Sequence, residues 1–388
     1  MPNQEELVSC FHCGFTDISD NMYQRDGNFT EDEFYCDECA QEIKTCSFCN
    51  TEYHESNITE GHNNYACHNC IEELDLITCS ECENIVERDN TELWQNEPVC
   101  CSCQDDIKKN LTFIHDYKYT PETLNFHSMT SEVTNIYYGI ELEIDRTEEQ
   151  ERDCYESKED HALEIHDQAN GTDLTEYEKY LYIKKDGSIK RGMELVSHPC
   201  TYSYHMKNMG WQYILDECDT KGYSSHDLGT CGMHIHISKL AFGKSEHEQD
   251  LNIAKLLLFF ETNWDNIKKF SRRKNSQIVE YCNRYNNLST EEEPAEICKK
   301  AKAEGRYFAV NLKNDDTVEI RIFRGTLKIE TFKASLQFTH LLTELIPTIS
   351  LQDTLKLTWN NLVEIASEKG YTEFIEYSKI RKIITDKI

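Results

Sequence analysis

Glycine and proline are scarce in this 388-residue chain, 15 and 6 of them, which excludes collagen-like and low-complexity polymers. Long apolar runs are missing as well. The most hydrophobic stretch, Leu256-Leu257-Leu258-Phe259-Phe260, falls far short of the roughly 20 residues that a membrane-spanning helix needs. The opening MPNQEELVSC lacks the basic-then-apolar order of an export signal, so neither a membrane nor a secretory route is expected. Positive charge is the third shortage: 40 Lys+Arg face 71 Asp+Glu, a net charge of −31. The deficit is uneven, with 25 acidic and 5 basic residues in 1–110 against 46 and 35 in the remainder. A field of this sign repels a phosphate backbone and disfavours duplex nucleic acid as a partner. Hydrophobic residues still make up 38% of the chain, enough for folded cores, and the length predicts at least two folding units.

Cysteine is what the chain has in abundance, 19 residues in all. Twelve form six CxxC pairs that group into three repeats: Cys10, Cys13, Cys36 and Cys39; Cys46, Cys49, Cys67 and Cys70; Cys79, Cys82, Cys100 and Cys103. The pairs lie 17 residues apart in the second and third repeats and 22 apart in the first. Each repeat has a polar, turn-rich middle, then a strand-like approach to its second pair and a helix start (AQEI, IEEL, QDDI). A knuckle, a hairpin and a second knuckle at a helix N-terminus bring four thiolates to about 2.3 Å from one Zn²⁺. Three structural Zn²⁺ sites are therefore expected, and the repeats resemble zinc-ribbon or treble-clef modules. Units of about 35 residues cannot hold a self-sufficient core, so metal must supply their folding free energy. They read as a docking surface for a protein partner, as a substrate-recognition arm, or as folded spacers. With four thiolates per site, His54, His62 and His68 are expected at the surface. Metal-type pairs and seven leftover thiols predict a reducing, cytosolic setting.

Pro121 and weak periodicity mark a linker over 109–136, between the zinc modules of 1–108 and a second domain over 137–388. In that domain short strands recur with aliphatic residues on one face and ligand-type residues on the other. YYGIELEID sets Glu141, Glu143 and Asp145 against Ile140, Leu142 and Ile144. Two strands flank a turn at Asp186-Gly187-Ser188, the second carrying Glu194; GMHIHIS sets His234, His236 and Ser238 on one face. In TVEIRIFRGT the alternation puts Glu319, Arg321 and Phe323 together, against Val318, Ile320 and Ile322. Helices predicted near 201–219, 246–270, 290–304, 328–346 and 353–370 would cover the apolar face; Leu251, Ala254, Lys255, Leu258 and Phe259 have helical spacing. The fold class is α+β: an antiparallel sheet with a polar concave face and helices on the other. A solvated face normally mixes Thr, Lys, Ser and Gln, whereas these strands offer Glu, His and Arg in close pairs. Clustered carboxylates repel unless divalent cations neutralise them, and oxygen-rich clusters suit Mg²⁺ or Mn²⁺. An arginine two residues from a metal-binding glutamate suits phosphoryl transfer.

GIELEID, DGS, MELVS, GMHIHIS, RRKNSQIVEYC, RYFAVNL and TVEIRIFRGT occur in the order found in the amidoligase family of the carboxylate–amine ligase superfamily, and over most of 137–388 the sequence resembles that family. The resemblance implies the fold of glutamine synthetase and glutamate–cysteine ligase, and ATP with Mg²⁺ or Mn²⁺ as cofactors. It implies metal positions at Glu141, Glu143, His234 and Glu319, with Glu194 and Asp186 as further ligands. His236, Arg321, Arg324 and Asn311 would meet the nucleotide, and Arg321, Arg306 and either Arg272 or Arg273 would act on the transferred group. The implied reaction passes the γ-phosphoryl group of ATP to a carboxylate, and an amine then attacks the acyl phosphate to form an amide. The carboxylate and amine could be small molecules, a protein or a modified nucleobase. Many such proteins are phage-encoded, which would place this one in a host cytoplasm. The acidic insertion at 146–179 is atypical of the family and would form a lid or substrate wall.

Two rival readings stand beside this one. Guanidino kinases share the fold and stop at phosphoryl transfer to nitrogen. A non-catalytic scaffold would use the zinc modules alone. SKLAFGKS at 238–245 ends like a phosphate-binding loop, but Ser238 stands where its first glycine is required. Cys231, beside the GMHIH strand, is expected as a packed core thiol.

Overall fold

The three cysteine repeats fold alike. In the computed structural model, which describes residues 7–24, 33–94, 97–130, 132, 136–152, 154–171, 178–226 and 228–384, the chain falls into two compact units that meet at Leu111/Thr112. In the first unit each repeat has two short antiparallel hairpins and a helix. For the second repeat these are Ile43–Thr45 with Glu52–His54, Ile58–Glu60 with Tyr65–Cys67, and helix His68–Glu73. In the first knuckle of each repeat the residue after the second cysteine donates its N–H to the carbonyl of the first at 2.9 Å: Gly14 to Cys10, Asn50 to Cys46, Glu83 to Cys79. That closure requires a left-handed backbone, and φ is +76°, +58° and +59° at the three positions. Glycine takes it without strain; Asn50 and Glu83 accept it at some cost.

Little else holds these modules. One cluster of buried side chains is Cys10, Met22, Tyr35 and Cys39, and a second is Cys46, Ala66, Cys67, Cys70, Leu76 and Ile85, so cysteines are a large part of the core themselves. His54, expected at the surface, is instead buried, stacked on His12 with ring centroids 3.6 Å apart. Its neighbour Tyr35 belongs to the preceding repeat, so the ring fills a seam between repeats.

The second unit is built on a seven-stranded sheet: β1 (Ile114–His115), β2 (Tyr138–Ile144), β3 (Leu181–Lys184), β4 (Met193–Ser197), β5 (Gly232–Ser238), β6 (Val310–Asn311) and β7 (Thr317–Arg324), in the order β1-β3-β4-β2-β5-β7-β6. All neighbours are antiparallel except the edge pair β1–β3. The sheet is therefore mixed, and the segment expected as a linker supplies its edge. Beyond β1 that segment stays attached to the unit: Lys185 pairs with Asp116 at 2.9 Å, and Tyr119 donates to Glu178 at 2.7 Å.

On one face Ile140, Leu142, Ile144, Leu195, Met233, Ile235, Val318 and Ile320 are buried. Helices cover them. The predicted helix over 246–270 is two, Glu246–Thr262 and Trp264–Ser271, divided at Asn263, whose side chain caps Phe259 and Leu357 carbonyls. Phe338 of helix Ile329–Leu345 lies 5.2 Å from both Phe270 and Trp359 and 5.9 Å from Phe374, an aromatic core shared by four helices. Phe323 joins this core, 6.3 Å from Phe270, rather than the polar face expected for it. A register shift between Met233 and Ile235 sets Phe323 opposite Met233 and Ile320 opposite Ile235, so the extra residue on β7 resets the alternation.

The described part of the insertion carries two helices, Glu148–Arg152 and Lys158–Asn170. Helix Lys158–Asn170, opened by a reciprocal Ser157/Asp160 cap, packs on β3, where Asn170 holds the Tyr180 and Leu181 backbone. Residues 153 and 172–177 of the insertion lie outside the described residues.

Candidate functional site

The sulfurs of the first unit already have the dimensions of metal sites. In each repeat four ligand atoms lie within 4.8 Å of one another. Cys13–Cys36, Cys49–Cys67 and Cys82–Cys100 sulfurs are 3.7, 3.9 and 3.8 Å apart, and a Zn–S length near 2.3 Å gives a tetrahedron edge of about 3.8 Å. Backbone N–H groups of Cys67 and Cys100 point at the sulfurs of Cys46 and Cys79, each at 3.3 Å. Burial raises these two thiols, but the surrounding backbone donors outweigh it and bring them down to about 6 and about 7. The clusters are fit to bind three zinc ions.

In the second unit sheet register assembles the polar face in rows. Lys184, Glu194 and Glu143 lie side by side across β3, β4 and β2. Glu141 faces His234, and the next row is Gly139, His236, Glu319 and Asn311. Two triads result, Glu141/His234/Glu319 and Glu143/Glu194/His234, each with ligand atoms within 4.8 Å of one another. His234 Nδ1 lies 3.2 Å from Glu141 and 3.5 Å from Glu319. His236 Nε2 is 3.4 Å from Glu141, and Asn311 donates to Glu319 at 2.6 Å. Arg321 donates its Nη1 to Glu319. Gly232 gives its N–H to Glu143, and a Cβ there would lie 2.3 Å from the Arg273 guanidinium and 2.9 Å from His234 Nε2. Glycine at 232 is therefore needed to seat both side chains.

Packing carboxylates this tightly moves their protons. Burial raises Glu141, but the charge of His236 and the hydrogen bond from His234 outweigh it and hold the carboxyl well below its usual range. Glu194 goes the other way: burial, then the charge of Glu141, push it well up against the pull of Lys184. Burial lowers His236, and the carboxylates of Glu141 and Glu319 more than restore it. Four carboxylates and one or two imidazoles form a donor set suited to Mg²⁺ or Mn²⁺.

Two adjoining cavities open on this face. One of about 600 Å³ is lined by the four glutamates, His234, His236, Asn311 and Lys184. The other, about 280 Å³, brings Arg273, Arg306 and Arg321 together with Glu143, Asp186 and His234. Arg273 is 5% exposed, and its Nε and Nη1 find no hydrogen-bond partner among the described residues. Arg306 donates to the phenol oxygens of Tyr117 at 2.9 Å and Tyr307 at 3.0 Å, and among the described residues no carboxylate pairs with it. Asp186 lines both cavities while accepting the Ser188 N–H at 2.7 Å.

Of the arginine pair, Arg273 points inward. Arg272 takes a left-handed backbone (φ +59°), and it lines a separate small cleft with Ser271, Lys328 and Tyr377. Arg324 lines the same cleft, so neither Arg272 nor Arg324 belongs to the polar-face cavities. Sequence reasoning missed Lys184, whose Nζ lies 3.2 Å from Glu194 and 3.7 Å from Glu141. Its signal was the same period-two alternation, with Leu181 and Ile183 buried and Lys184 on the opposite face. Tyr117 was missed because it lies in the presumed linker. Cys231 is buried, and burial pushes its thiol up to about 12, as expected of a core residue.

No curated protein matches the chain. Residues 139–343, just over half its length, match the family model described as "Putative amidoligase enzyme", and this span contains all of the triad residues, Lys184 and the three cavity-lining arginines. The chain belongs to this amidoligase family.

Proposed function

We propose that the second unit is an ATP- and Mg²⁺-dependent carboxylate–amine ligase that forms an amide through an acyl phosphate. One observation carries this reading: two acidic triads sharing His234 adjoin a cavity in which Arg273 and Arg306 have no carboxylate partner among the described residues. Glu141, His234 and Glu319 would hold a Mg²⁺ or Mn²⁺ ion, with Glu143 and Glu194 as the further acid pair. When bound, such an ion neutralises phosphate oxygens. His236 and Asn311 lie beside Glu319 on the nucleotide side, and Arg321 meets the transferred phosphoryl group. Arg273 and Arg306 orient the substrate carboxylate, whose oxygen attacks the γ-phosphorus as ADP leaves. The amine nitrogen then attacks the acyl carbon and expels phosphate. The buried Glu143, Glu194, His234 and Arg273 mark the part of the site where the mixed anhydride would be shielded from water.

The same reading takes the sheet as glutamine synthetase-like. The acidity of residues 1–110 supports the zinc clusters as a docking surface for a cationic protein, and the unpaired cysteines support a reducing cytoplasm, that of a host if the chain is phage-encoded. The test uses ¹⁸O-labelled carboxylate substrates in an amine screen. A ligase moves one ¹⁸O into inorganic phosphate with each amide formed. A stable phosphorylated product without ¹⁸O transfer would mean a kinase, and no ATP consumption with any pair would leave the scaffold reading.

A further inference from the structure

A neutral imidazole offers one lone pair, because its other nitrogen carries the proton. His234 is named in both triads, yet it can ligate in only one of them. Its Nδ1 faces Glu141 and Glu319, the better-furnished triad. Glu143 and Glu194 then remain as two carboxylates without an imidazole. One Glu143 oxygen already accepts the Gly232 N–H, and Glu194 already meets the ammonium of Lys184 at 3.2 Å. Lys184 is no surface residue that drifted inward. Its side chain is 15% exposed, it occupies the row of Glu194 and Glu143 in register, and it reaches Glu141 at 3.7 Å as well.

We propose that Lys184 is a built-in counter-ion that stands in for a second divalent cation, so that the chain without nucleotide binds one such ion rather than two. This rests on the metal-binding reading above. The ammonium compensates the Glu194 side of the cluster, and an ion arriving with a nucleotide must displace it from Glu194. Lys184 is on this account a positioning residue for the acid pair.

The experiment counts Mn²⁺ bound by the zinc-replete full chain without nucleotide, from the loss of the free-ion paramagnetic resonance signal. One tight Mn²⁺ per chain is expected for wild type, two for Lys184→Met, and one again for Lys184→Arg and for the Lys184→Met/Glu194→Gln double variant. Zinc content and circular dichroism report whether each variant is folded. Two ions on wild type would overturn the proposal by itself, whatever the variants do, as would one ion on a folded Lys184→Met. No Mn²⁺ on wild type would overturn the metal reading beneath it, a separate failure that the first count distinguishes.

Discussion

The two units use the same resource, clustered metal-ligand side chains, for opposite ends. In the first unit the candidate ligands are cysteines that also make up much of the buried core, so removing a metal should remove the fold. In the second unit the core is aliphatic and aromatic, and the ligand-type side chains stand on the far side of a sheet that this core already stabilises. Where a fold can stand without its metal, the metal is free to exchange and to do chemistry. Ligand type follows the division: sulfur for a closed site, oxygen with one imidazole for an open one.

The strongest way to break this comparison is to strip the zinc. Each structural site is worth roughly 10–16 kcal/mol, so chelation should melt the 7–111 hairpins, seen as lost amide-exchange protection, and leave the second unit folded. Melting of both would mean that the second unit depends on metal as the first does.

Next in size is Arg321→Ala. Loss of one preorganised donor to a transition state costs about 10²–10³ in kcat, and amide-forming turnover should fall by that factor with zinc content unchanged. Unaltered turnover would remove Arg321 from the chemistry.

Acid sharpens the contrast further. His205 and His340 are brought down to about 4, both chiefly by burial, in His340 against the pull of Glu344. His205 is satisfied as a neutral ring: Nε2 bonds to the Tyr138 carbonyl at 2.9 Å, and Nδ1 accepts from Trp211 at 3.2 Å. Protonation would break the second bond. An unfolded histidine titrates near 6.5, so between that value and about 4 the unfolded chain binds more protons. The contribution of these two histidines to stability is complete above pH 6.5 and falls toward pH 4, by up to about 3 kcal/mol per histidine. Denaturant midpoints across this window should fall, and excess zinc should shift only the acid transition of the first unit. The smallest effect is Ser157→Ala, which removes the cap of helix Lys158–Asn170 and should cost about 1 kcal/mol in urea denaturation.

The sequence disclosed most of this where one residue's chemistry or a strict period carried the information. CxxC spacing named all twelve sulfur ligands. Alternation on β2, β5 and β7 exposed Glu141, Glu143, His234, His236, Glu319 and Arg321, and the structure brings them together on one face. Three things were hidden. A one-residue bulge on β7 turned Phe323 to the core; the adjacent apolar pair Ile322-Phe323 was its only trace. Which of Arg272 and Arg273 turns inward depends on a single left-handed φ, to which side-chain chemistry gives no clue. Residues 112–120 looked like a linker because a two-residue strand is too short to show a period, yet they bring Tyr117 to Arg306.

A metal held on the polar face of the second unit would serve a nucleotide rather than the fold. The most direct test is a thermal-shift titration of the zinc-replete chain with ATP, with and without Mg²⁺, on wild type and Glu319→Ala. A ligand at about 100 times its Kd adds roughly 2.7 kcal/mol to the folded state. Stabilisation that requires Mg²⁺ and disappears in Glu319→Ala is expected. No shift at millimolar ATP, or the same shift in both proteins, would contradict it.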